Sequence, residues 1–137
     1  MYKRQILAAE VRAFRDFIAE LDPARSRVAI IQFSNPEGAL FFPSRQRIVQ
    51  ELTSDFALAE SALDEVLAAG SSGATDYGGG VTLVRDEYAA NGDPVNRKQV
   101  AYFTSDGVPT YPQDPFSAEN PADSETGIAA ASASCPR

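Results

Sequence analysis

The sequence predicts an α/β protein: a doubly wound, mainly parallel sheet with helices on both faces. Two observations predict the sheet and a third predicts what it carries. Residues 27–33 and 98–104 are short apolar runs rich in β-branched and aromatic side chains, the pattern of strands covered on both sides. Long amphipathic helical patterns lie around and between them, as a parallel sheet requires. Thr75 and Asp106, 31 positions apart, each place a small oxygen-bearing side chain where a loop meets a regular element. Ligands of open α/β sheets gather at the C-terminal ends of the strands.

The first helix is expected over 3–21. Leu7, Val11, Phe14, Ile18 and Leu21 recur at spacings of 4, 3, 4 and 3, which makes one apolar stripe, and Pro23 ends the pattern. The strand 27–33 follows. A turn at Asn35-Pro36-Glu37-Gly38 leads to a short strand over 39–42, placed at an edge by Pro43. A second helix is expected over 55–69, with Thr53 or Ser54 as N-cap and Gly70 as the stop. Phe56, Ala59, Leu63, Val66 and Leu67 form its inner face.

The third helix starts at Thr75 or Asp76 and runs to about residue 90, with Tyr77, Val81, Val84 and Tyr88 as its stripe. Gly78-Gly79-Gly80 in its first turn costs roughly 1 kcal/mol per residue relative to Ala, a cost that close approach to a neighbouring backbone would offset. The strand 98–104 comes next. Four prolines between 109 and 121 then mark an irregular stretch, and 128–133 begins a further helical pattern. The aromatic pairs Phe41-Phe42 and Tyr102-Phe103 are expected in the core.

Composition narrows the function. The 137 residues suit one domain or part of one. Net charge is −7, which disfavours nucleic acid, because phosphate binding needs clustered Lys and Arg. There is no His, so the commonest general base and zinc ligand are missing. Cys135 is the single cysteine, which excludes a disulfide framework within these residues; a free thiol and a bond to another segment both remain open. No apolar run is long enough to span a membrane.

A hydroxyl from Thr75 and a carboxylate from Asp106 suit a hard, oxygen-loving cation such as Mg²⁺. The bland alternatives stand beside this reading. Thr75 makes a good N-cap, Asp106-Gly107 is an ordinary turn dipeptide, and Asp76 is read as a solvated first-turn acid favoured by the helix dipole. Thr104 and Ser105 are read as strand-end hydroxyls. The glycine run lacks a Walker lysine, which argues against nucleotide binding.

Several segments, in order, resemble a von Willebrand factor type A domain. Residues 27–34 (RVAIIQFS) resemble that family's second strand, and Leu52-Thr53 its entry into the second helix. Residues 73–78 (GATDYG) resemble the loop bearing the metal-site threonine, and 100–110 (VAYFTSDGVPT) the strand ending in the metal-site aspartate. The likeness covers residues 3 to about 112, with 113–137 left as a loop and the start of a helix. It implies a metal-ion-dependent adhesion site in which Thr75 is the hydroxyl ligand and Asp106 the carboxylate, direct or through water. Mg²⁺, Mn²⁺ or Ca²⁺ held by few charges would accept a carboxylate from a partner protein.

The departure is that no Asp-x-Ser-x-Ser motif occurs. The family's first strand and last strands have no counterpart either. The expectation is therefore a partial domain, 1–137, from a unit of roughly 180–200 residues. It holds two of five ligand positions and binds metal weakly or not at all by itself. The implied function is protein binding or adhesion without turnover, at the cell surface or outside the cell. An intracellular accessory subunit of an ATPase- or chelatase-type complex is the alternative. A metal-assisted hydrolase is a third reading, disfavoured by the absence of His and of a base near Asp106.

Overall fold

The computed structural model describes residues 2–34, 46–70 and 75–105. They form a mixed α/β arrangement in the order α1 (Tyr2–Ala19), β1 (Val28–Gln32), β2 (Arg47–Thr53), α2 (Phe56–Ala69) and α3 (Tyr77–Asn91). The sequence expectations at 39–42, including Phe41 and Phe42, and at 128–133 lie outside the described residues, as does Cys135.

The stripe on α1 is the one expected. Val11 and Ile18 are buried, and Leu7 and Phe14 pack against the same cluster. The helix ends at Ala19, before Pro23. Its last turn tightens through i→i−3 bonds from Glu20 N to Phe17 O (3.2 Å) and Leu21 N to Ile18 O (3.1 Å). Asp22 then closes the turn into β1: its carbonyl accepts from Ser26 N (2.8 Å) and its Oδ1 from Ala24 N (2.9 Å).

Strand β1 pairs with β2 and the pairing is antiparallel. Val28 faces Thr53, Ile30 faces Gln50 and Gln32 faces Arg47, with irregularities between Val28 and Ile31. No parallel pair occurs among the described residues, so the sheet seen is not a doubly wound parallel one. Strand β2 itself was not anticipated from sequence. Its apolar positions are Ile48, Val49 and Leu52, interrupted by Gln50-Glu51, too few for a buried strand signature.

Helix α2 lies where expected. Ala59, Ala62, Leu63 and Val66 are buried, with Phe56 and Leu67 packed at the margin. Its cap is Asp55 rather than Thr53 or Ser54: Asp55 Oδ1 accepts from Ala57 N at 3.1 Å. Thr53 acts one step earlier, its Oγ1 accepting from Asp55 N at 3.0 Å. Gly70 ends the helix at φ 72, a conformation that favours glycine, and its N–H bonds Val66 O.

The core is made where α1 crosses α2 and where α2 covers the strands through Val28, Ile30 and Val49. Truncating Ile18, the most enclosed large side chain, to Ala costs about 2–5 kcal/mol. The ion pairs Arg15–Asp64 and Arg47–Glu65 (2.7 Å) decorate the edges of this core. Both are exposed enough to contribute at most about 1 kcal/mol each.

Two expectations about the second half are corrected. The buried line of α3 is Gly80 and Glu87, while Tyr77, Val81, Val84 and Tyr88 are only half-buried. The helix presses its narrow glycine side toward the sheet, so the larger stripe stays at the flank. Residues 98–104 are not a strand and not core: Val100, Tyr102 and Phe103 are 47%, 63% and 43% exposed. An apolar run becomes a strand only when a neighbour pairs with its N–H and C=O groups, and no described strand does so. Its course is nevertheless defined. Arg97 Nη1 donates to Arg25 O (2.8 Å), and the Phe103 ring meets Phe33 at 5.8 Å. Residues 97–103 therefore run alongside β1 and in the same direction.

Candidate cation-binding site

The candidate site is the end of the molecule where β1 finishes and α3 begins. Thr75 lies two residues before α3 and is half-buried. Asp106 lies outside the described residues, so the separation of the two predicted ligands is not part of the described geometry. Their immediate neighbours are part of it. Phe33, just past the end of β1, touches Tyr77 with ring centroids 5.6 Å apart and Phe103 at 5.8 Å. One ring thus joins the residue two beyond Thr75 to the residue three before Asp106.

The glycines explain how α3 comes so near. A Cβ at Gly80 would lie 3.0 Å from Phe33 Cγ and 3.2 Å from Phe33 Cβ, and one at Gly79 would overlap the Gln46 side chain. The close approach expected of the glycine run is present, but its partners are side chains rather than a neighbouring backbone.

The cap of α3 is Asp76. Its Oδ1 accepts from Gly79 N at 2.9 Å, and its carbonyl receives the first helical bond from Gly80 N (3.2 Å). Asp76 is 6% exposed, so the expectation of a solvated first-turn acid is wrong. The capping role considered for Thr75 belongs to its neighbour. Spacing held the clue: an Asp three residues before Gly79 can reach the N3 amide, which a strictly first-turn reading overlooks. Thr104 and Ser105 are exposed.

Other polar groups at this end carried no signal in the sequence. Ser34 Oγ and Gln32 Oε1 are buried without a hydrogen-bond partner among the described residues. At the opposite end of β1, Glu87, 2% exposed, accepts from Leu52 N (2.7 Å) and from Asn91 Nδ2 (3.1 Å), and so ties α3 to the end of β2. Tyr88 Oη donates to Val100 O at 2.6 Å and anchors the start of the unpaired segment. Burial raises the Tyr88 hydroxyl above its ordinary value, an effect the bond to Val100 partly opposes.

Among the described residues no three His, Cys, Asp or Glu side chains gather closely enough to hold a metal. Asp76 already has one carboxylate oxygen engaged by its own helix. Hydroxyls and the Gln32 Oε1 oxygen are described groups of the kind that fit a hard cation, and the carboxylate assigned by sequence, Asp106, lies outside the described residues. Among the described residues no helix is long and apolar enough to cross a membrane. Comparison with protein families, with curated proteins and with solved structures found no match to this chain.

Proposed function

We propose that the chain is the binding part of a von Willebrand factor A-like module, which grips a partner protein's carboxylate through a divalent cation held by Thr75 and Asp106 and carries out no turnover. The observation that carries this reading is the aromatic bridge Tyr77–Phe33–Phe103. Thr75 is two residues from one end of the bridge and Asp106 three from the other. A chain spans at most about 3.3–3.6 Å per residue, so these short stretches of chain allow the two side chains to meet. The doubly wound parallel sheet belongs to the same proposal. It is supported by the course of 97–103 alongside β1 and by helices α2 and α3, each of which packs on both strands.

Site chemistry supports a weak, open site. A hydroxyl and a single carboxylate leave most of the octahedral positions of Mg²⁺ to water. Such an ion keeps most of its charge and can exchange a water for a partner's carboxylate oxygen.

Manganese provides the test, because Mn²⁺ replaces Mg²⁺ at oxygen sites and broadens the resonances of nuclei near it. In an amide spectrum of the 137-residue chain, substoichiometric Mn²⁺ should broaden residues 75–77 and 104–107 together, and excess Mg²⁺ should reverse it. Thr75→Ala and Asp106→Ala should each abolish the selective broadening. The proposal fails if the two segments respond at different Mn²⁺ concentrations, or if broadening follows exposed acids such as Asp16 and Glu20 instead.

A further inference from the structure

Asn91 is the last residue of α3 and Gly92 caps it. Together they form an Asn-Gly pair, the sequence at which a backbone amide nitrogen most readily attacks the preceding side-chain amide, because glycine has no Cβ to hinder it. The other asparagines lack this chemistry. Asn35 and Asn120 precede prolines, which have no N–H, and Asn96 precedes the bulky Arg97.

The structure requires both halves of the pair. A Cβ at Gly92 would overlap the Tyr88 carbonyl oxygen. The Asn91 Nδ2 donates at 3.1 Å to Glu87 Oε1, and a carboxylate that is 2% exposed depends on such donors. The same contacts hold the pair inert. The attacking atom, Gly92 N, is engaged by Tyr88 O at 2.9 Å, and the leaving nitrogen, Asn91 Nδ2, is engaged by Glu87. The helical backbone at residue 91 must also change before a five-membered ring can close.

We propose that Asn91-Gly92 is a latent deamidation site, closed by the fold and exposed when the last turn of α3 opens. Gly92 N loses its proton to water and bonds to Asn91 Cγ. The Cγ–Nδ2 bond breaks, and the nitrogen leaves as ammonia. Water then adds to the succinimide. Cleavage of the new N–Cγ bond gives aspartate, and cleavage of the original backbone C–N bond gives isoaspartate. The net reaction consumes one water and releases one ammonia, with no change of oxidation state. This inference goes beyond the cation reading and involves neither Thr75 nor Asp106.

The product does not fit back into the closed form. Where Nδ2 donated to Glu87, a carboxylate now faces a buried carboxylate four residues away on one helix face. The new charge also lies at the helix C-terminus, where the dipole opposes it. Isoaspartate adds a backbone methylene between residue 91 and the Gly92 N–H that bonds Tyr88 O. Each change loosens the Glu87 joint that ties α3 to Leu52. Opening therefore leads to a modification that favours further opening.

Mass spectrometry of the 137-residue chain, with the peptide containing residue 91 followed over time, tests the first half. Conversion of Asn91 to the acid should be at least about tenfold slower in buffer than in denaturing urea at the same pH and temperature. Variants test the second half. Asn91→Ser removes the amide without adding charge, at similar helix propensity. Asn91→Asp should lower the urea midpoint by about 0.5 M or more beyond Asn91→Ser, and Glu87→Gln should remove most of that excess. The proposal is overturned if Asn91 reacts as fast in buffer as in urea. It is also overturned if Asp is no more damaging than Ser, or if the excess survives Glu87→Gln undiminished. The rate comparison uses the unaltered chain and stands even if Asn91→Asp fails to fold.

Discussion

Replacing Glu87 probes the joint between α3 and the sheet most directly. Its Oε1 accepts from Leu52 N at 2.7 Å and from Asn91 Nδ2 at 3.1 Å, and the residue is 2% exposed. A hydrogen bond to a charged group contributes about 1.5–3 kcal/mol, and one left unmade at a buried amide costs about 1–3 kcal/mol. Glu87→Ala removes the acceptor and leaves the Leu52 N–H without it, so a loss of about 3 kcal/mol is expected. Glu87→Gln keeps an oxygen of the same reach and loses only the charge, so about 1 kcal/mol is expected. Glu87→Leu refills the volume but not the bond and falls between, near 2 kcal/mol. Against a total of about 5–15 kcal/mol these differences are large. In urea, with a slope of about 1–3 kcal/mol/M, the Ala variant should lower the midpoint by about 1–3 M. The reasoning is refuted if Ala shifts stability by less than about 0.5 kcal/mol, or if Gln is as damaging as Ala.

Other positions separate competing effects. At Asp76, Asn keeps the cap oxygen and should change stability by less than about 0.5 kcal/mol, whereas Ala should cost about 1 kcal/mol or more; a large loss in Asn as well would mean that the charge matters beyond capping. At Gly80, Ala gains about 1 kcal/mol in helix propensity but sets a methyl 3.0 Å from Phe33 Cγ, and overpacking of about 1–3 kcal/mol should leave the variant less stable by thermal melting. Tyr88 holds its proton more tightly folded than unfolded, so its contribution is fully present below the unfolded value near 10 and is lost as pH rises through the folded value. Melting temperature against pH should therefore fall more steeply above about pH 10 in the parent than in Tyr88→Phe.

The sequence was most legible where one period dominates. The stripe of α1 and the inner face of α2 are apolar side chains at helical spacing, and burial of that face is what fixes the helix. Gly70 was legible as a stop because a helix ending in positive φ favours glycine. Legibility failed where tertiary contact outranks pattern. In α3, a helix that packs through Gly80 and a buried Glu87 shows the wrong stripe to any reading by hydrophobicity. Strand β2 is polar enough to pass for a loop until β1 pairs with it. The run 98–104 has every local feature of a strand and is none, because a strand is a property of two segments. Of the two expected ligands, Thr75 stands beside α3 as read, while its neighbour Asp76 took a role the sequence had assigned elsewhere.

The glycine run and the aromatic bridge answer to the same requirement. An ordinary helix start at residues 77–80 would hold α3 a side chain's width from the sheet, and Phe33 could not touch Tyr77 while lying against the helix backbone. Accepting roughly 1 kcal/mol of helix propensity at each glycine brings the Asp76 cap, the Phe33 ring and the end of β1 into one layer. Phe33 then has a second face to offer, and Phe103 meets it. Phe103 is thus held near the start of α3 by a ring between two loops. Such a joint defines a neighbourhood more than a distance. A site assembled across it suits an ion that supplies its own geometry and keeps several waters better than a reaction that needs sub-ångström alignment of a base and a nucleophile. That physical distinction, more than the missing histidine, is why we propose binding rather than catalysis at this end of the molecule.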